Sequence, residues 1–151
     1  MRKKIFYISA FLIFVLLLSG CTGGKPTVPE VPTDEDLIID VIEKFFSALS
    51  EQKWGLAESY CVDGSDAYKF VDAMKSFFDD KSSQCSTVIL SFSPDISKVD
   101  IDGDEALDYG YLTIVIKCDG KEHSDSGVWE FMSALLKVSH NWKLFGIAMH
   151  K

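Results

Sequence analysis

Residues 96–118 read ISKVDIDGDEALDYGYLTIVIKC, and the fold turns on how this stretch pairs with itself. Asp102-Gly103 lies between two apolar runs. Glycine after aspartate supplies the backbone freedom that a two-residue hairpin needs. Downstream, Ala106 to Cys118 reads as one long strand, in which Leu107, Tyr109, Tyr111, Thr113 and Val115 alternate with Gly110, Leu112, Ile114 and Ile116. Apolar residues on both faces imply that both sides are at least partly covered. Upstream, Ile96 to Ile101 is the partner. Before it Ser86 to Phe92 is rich in strand formers, with Pro94 expected to interrupt. Beyond Cys118, Asp119-Gly120 opens a loop to Asp125. A strand follows over Gly127–Val138, then a turn at His140-Asn141 and a last strand over Trp142–Met149.

The strands are preceded by helices. Thr33 and Asp36 have capping-box spacing, and Asp34, Glu35 and Asp36 suit the positive end of a helix dipole. Ile38, Val41, Ile42, Phe45, Phe46 and Leu49 then recur at helical spacing over about four turns. A short helix is expected over Lys53–Cys61. A longer one is expected over Asp66–Asp79, with Ala67, Phe70, Val71, Met74, Phe77 and Phe78 along one side. Helices followed by an antiparallel meander define an α+β domain over residues 34–151, with N-terminal helices packed on a curved antiparallel sheet of about four strands. Pro94 and Gly110 are placed where bulges could curve it.

The N-terminus is of another kind. Arg2-Lys3-Lys4 precedes an almost unbroken apolar run from Ile5 to Leu18, and Leu18-Ser19-Gly20-Cys21 follows. A basic end, a short apolar run and small residues make a secretory signal over residues 1–20. Its ending resembles the lipobox of bacterial lipoproteins. The resemblance implies a diacylglycerol thioether on Cys21 and cleavage before it. The protein is then expected at the extracytoplasmic face of the cell membrane or outer membrane, held there by its lipid. Residues 22–33, TGGKPTVPEVPT, carry too little hydrophobic mass to fold and read as a tether that, with Cys21, spans residues 21–33.

Charge narrows the partners. The chain has 151 residues, with 15 basic and 23 acidic. Residues 1–20 contain three of the basic residues and no acid, leaving 12 basic against 23 acidic, a net of −11. Such a body repels nucleic acid and anionic headgroups, so its membrane attachment must come from the lipid.

The layout resembles the cone-shaped nuclear-transport-factor-like superfamily, of cystatin-like fold, which also holds ketosteroid-isomerase-like and polyketide-cyclase-like proteins. The resemblance rests on Phe45-Phe46 in the opening helix, on Lys53-Trp54-Gly55-Leu56-Ala57, on Val99 through Ala106, and on Lys137 through Leu144. It spans nearly all of residues 36–151. It implies a cavity between the helices and the sheet, which some members use for catalysis and many lipid-anchored relatives do not. Family members often pair through the sheet, which implies a homodimer. Family enzymes place an Asp, His or Tyr in the cavity, and Asp108, Tyr60, Tyr109 and Tyr111 are the candidates here. Burial would raise the Asp108 pKa and make it a base, but its place near the hairpin end predicts exposure.

Other signals are weaker. Asp100, Asp102, Asp104 and Glu105 crowd one turn, yet DIDGDE lacks the spacing of a twelve-residue calcium loop, whose last ligand position falls on Tyr111. A solvated turn is expected. His123, His140 and His150 have no ligand spacing, and no metal or other cofactor is implied. There is no nucleophile elbow, phosphate-binding glycine loop or paired-acid signature. In an oxidising compartment, Cys61, Cys85 and Cys118 should give one disulfide and one free thiol. Counting from an Asp102-Gly103 turn sets residue 87 opposite residue 118, so Cys85–Cys118 is preferred, helped by a bulge at Pro94, and Cys61–Cys85 is the alternative. The expected function is a non-catalytic accessory lipoprotein that binds a small apolar ligand or an envelope protein. The alternatives are an isomerase or dehydratase, and a surface protein acting by contact alone.

Overall fold

In the computed structural model, α1 (Asp34–Ser50) starts on the expected capping box. Thr33 Oγ1 accepts from the Asp36 amide at 3.2 Å, and the Asp36 carboxylate accepts from the Thr33 amide at 2.8 Å. The structure describes residues 31–151. The signal segment 1–20, the lipid site at Cys21 and the tether through residue 30 lie outside the described residues. Ile38, Ile42, Phe45, Phe46 and Leu49 form the fully buried stripe of α1. Each side chain of this size adds roughly 1.5–3 kcal/mol on burial. The helix is tied at both ends. Asp34 accepts from Lys137 Nζ at 2.8 Å and from Trp142 Nε1 at 3.0 Å. These hydrogen bonds hold its carboxyl below the usual range. At the other end Ser50 Oγ donates to the Phe46 carbonyl and accepts from the Phe92 amide.

The short α2 (Trp54–Ser59) leads to α3 (Asp66–Gln84), capped by Ser65. The third helix runs five residues past the expected Asp79. Its last turns have no apolar stripe to betray them. A Gln84–Asp80 hydrogen bond of 2.9 Å supports this extension, and Cys85 caps it.

The strands are β1 (Val88–Asp102), β2 (Glu105–Cys118), β3 (Lys121–Glu122), β4 (Gly127–Val138) and β5 (Asn141–His150), in the antiparallel order β1-β2-β4-β5. The two-residue β3 pairs with the end of β2, inside what the sequence presents as a loop. Pro94 does not interrupt β1. It pairs with Leu112, and an edge strand tolerates a missing donor. The hairpin turn is Gly103-Asp104, one residue later than expected, with Asp102 opposite Glu105 and Gly103 at φ +62°. The bulge lies at Ser97 rather than Pro94, because Ile96 faces Gly110 while Lys98 faces Tyr109. Ser97 Oγ donates to the Tyr109 carbonyl at 2.9 Å. A Cβ on Gly110 would collide with the Asp95 carbonyl, so the close approach beside the bulge requires glycine. Turn and bulge together put Val88, not residue 87, opposite Cys118.

Cys85 and Cys118 are bonded, as preferred from the sequence, although Cys85 sits at the end of α3 and not in the strand. Thr87 and Asp119 close the junction with two hydrogen bonds of 2.8 and 2.9 Å. The core lies between the helices and the inner face of the sheet. Phe46 is its hub, with ring centroids 5.1 Å from Phe45, 6.2 Å from Phe92 and 5.7 Å from Phe131. Pro32–Lys151 form one compact unit. None of its helices is long and apolar enough to cross a membrane.

Candidate functional site: an apolar cavity under the third helix

Inward side chains alternate along each strand, and those of the sheet's open end do not all meet a helix. They enclose a cavity of about 230 Å3 with α3. Met74 and Phe77 form the helical wall, and helical spacing puts them on one side of α3. Leu90 and Phe92 of β1 and Ile114 and Ile116 of β2 form the sheet wall, completed by Trp129 and Met149. Asp125, more than half exposed, is the only charged residue among those lining it. Lys151 Nζ lies 5.1 Å from the Trp129 ring centroid. The buried Trp129 Nε1 has no hydrogen-bond acceptor among the described residues.

Asp108 is not in this cavity, and its expected exposure is wrong. It is fully buried on the inner face of β2. The residue sits three pairs from the turn, but β4 extends alongside that end and pairs it with Ser133, itself 1% exposed. Ser133 Oγ donates to Asp108 Oδ1, while Oδ2 has no partner among the described residues. Loss of water around the carboxyl pushes its pKa up to about 6, against the opposing hydrogen bonds from Ser133. This is the pKa of a usable general base, but the group touches no solvent-filled space.

The tyrosines fall elsewhere. Tyr109 and Tyr111 point to the outer face, where Lys98 Nζ stands 5.8 Å from the Tyr109 ring and Tyr111 is 49% exposed. Tyr60 packs at the edge of the core, and its carbonyl accepts from the Leu144 amide. Asp100 is engaged by Lys98 at 2.5 Å, while Asp102, Asp104 and Glu105 surround the exposed turn. His123 packs its ring edge toward Phe77 at 6.5 Å and lies 3.4 Å from Asp125. His140 and His150 are exposed. Among the described residues Cys61 is the free thiol, and Cys85 is bonded to Cys118, so the Cys61–Cys85 alternative is not formed. Burial, with help from Glu58, pushes its pKa up to about 12, which makes it inert.

The sequence places Met74 and Phe77 along one side of a helix but does not assemble them with Trp129 and Met149 into a wall. The signal was the inward parity of each strand, usable only once the Ser97 bulge fixes register. Ser133 was missed too. It lies between Phe131 and Leu135 on the inner face of β4.

No protein-family model and no curated protein matches the chain. Solved structures do. An NTF2-like protein of unknown function from Shewanella oneidensis is 12% identical, with a TM-score of 0.60 over 79% of this chain and all of that one. An NTF2-like protein from Cytophaga hutchinsonii is 13% identical, with a TM-score of 0.61 over 79% of this chain and 98% of its own. A protein of unknown function with a cystatin-like fold from Nostoc punctiforme is 16% identical, with a TM-score of 0.55 over 78% and 91%. The domain therefore has the NTF2-like, cystatin-like α+β fold that the sequence resembles. At these identities the likeness carries the fold and no activity.

Proposed function

We propose that this is a non-catalytic binding module, held at the outer face of a membrane by a lipid on Cys21, that takes a small apolar molecule into the cavity beneath α3. One observation carries the reading: the cavity wall is made of aliphatic, aromatic and methionine side chains, with its one charged residue exposed. Apolar surface held open to solvent is a cost that a ligand relieves. The enzyme reading has one observation in its favour, the raised pKa of buried Asp108. Against it, that carboxyl is fully buried and does not line the cavity under α3.

Residues 32–151 contain the whole core and the disulfide, so this segment serves for a binding test. An apolar fluorescent dye such as anilinonaphthalene sulfonate should bind at one site. Met74→Trp, which fills the cavity from the helix side, should remove that binding without lowering the melting temperature. Equal dye binding by both forms would sink the cavity reading.

A further inference from the structure

The outer face of the sheet is apolar as well. Leu107, Met132 and Phe145 are 38–47% exposed. At the β1–β2 hairpin end this face forms a cleft of about 460 Å3. Leu107, Ala134, Leu136 and Phe145 make its apolar floor, and Asp100, Asp102 and Glu105 stand along one side, Asp100 already paired with Lys98. Among the described residues no cationic residue lines it. Asp102 and Glu105 face each other directly across the strands, a pairing in which like charges repel. Lys98 reaches Asp100 but neither of these, and among the described residues neither has a salt-bridge partner.

We propose that this cleft docks a basic, amphipathic peptide segment of another protein. Its aliphatic side chains cover the floor, and its lysine or arginine side chains sit against Asp102 and Glu105. Charge selects this occupant. An anionic membrane surface meets repulsion here, and a second copy paired through the sheet, the homodimer that the family resemblance implies, brings the same acids and, among the described residues, no cation lining the cleft. Side chains make the contact over the floor, because β2 and β4 each already have strand neighbours on both sides. The volume lies within the roughly 300–1,000 Å3 of ordinary binding pockets. The cleft is on the opposite face of the sheet from the cavity under α3, so the two readings stand or fall separately.

The test uses the full chain in phosphatidylcholine nanodiscs, with empty discs as the blank. A dye-labelled alternating leucine–lysine hexapeptide is titrated by fluorescence anisotropy, beside a leucine–glutamate hexapeptide. The basic peptide should bind and the acidic one should not. Asp102→Asn with Glu105→Gln should weaken binding about fivefold to tenfold, in line with two lost exposed charge pairs. Leu107→Ser should weaken it as well, while thermal melts show both variants folded. Binding of both peptides alike, no binding of the basic one, or indifference to the acid substitutions would overturn the proposal. So would intermolecular crosslinks that join this face to itself, since a second copy would then be the occupant.

Discussion

Asp108 is the residue whose environment is most at odds with its chemistry. Among the described residues one oxygen of this carboxyl, fully buried beside Ser133, has no partner, and burial favours the protonated form. Its pKa is about 6 in the folded chain against 3.8 as the ordinary value. Between those values the folded state holds more protons than the unfolded state. Stability from this group is therefore full below about pH 4, falls as pH rises toward 6, and is gone above it. The shift is worth about 3 kcal/mol. Asp34, Asp36 and Glu51 are lowered by exposed hydrogen bonds and act weakly in the opposite sense. The clean measurement is thus a comparison. Chemical denaturation at pH 4 and pH 7 should show Asp108→Asn gaining on the natural protein as pH rises, by roughly 3 kcal/mol. A constant difference across that range would place the carboxyl in water. Gly110 is a second residue set by its surroundings. Gly110→Ala should cost about 2–3 kcal/mol, because the Asp95 backbone cannot move aside without undoing the bulge.

At the scale of elements, the disulfide is the joint that matters most. It closes a span of 33 residues between the end of α3 and the end of β2. In the chain-entropy account such a link contributes about 3–4 kcal/mol. The double change Cys85→Ser with Cys118→Ser should lower denaturant stability by that amount. It should also loosen hydrogen-exchange protection first in the last turns of α3, where Asp80–Gln84 have little apolar contact. Most elements were legible because their periodicity is strong: α1 from its stripe and cap, β2 and β4 from alternation. What escaped was register. Gly103-Asp104 and Asp102-Gly103 are both acceptable turn pairs locally, and tertiary pairing with β4 decides between them. The bulge at Ser97 has no signature in β1 itself, only the glycine across from it. It exists because Gly110 lets the two strands approach. The cavity was legible only as a consequence of the fold, and its wall needed the register that the sequence leaves open.

At the scale of the whole molecule, the sheet separates two apolar surfaces. The inner one is closed by the helices except beneath α3, and the outer one is open to partners. A tether from a lipid on Cys21 would leave both accessible at a membrane surface. In the intact mass of the membrane fraction, Cys21→Ser should keep residues 1–20 and carry no diacylglycerol, and a variant that stays membrane-bound and is cleaved as the natural chain is would contradict the lipid anchor. The central claim is that the cavity under α3 holds a ligand. Native mass spectrometry of residues 32–151, purified from an oxidising compartment without detergent, tests it most directly. The predicted result is a reproducible added mass that leaves on denaturation and is absent from Met74→Trp. A bare mass for the natural domain, unchanged by incubation with a total lipid extract, would contradict the claim.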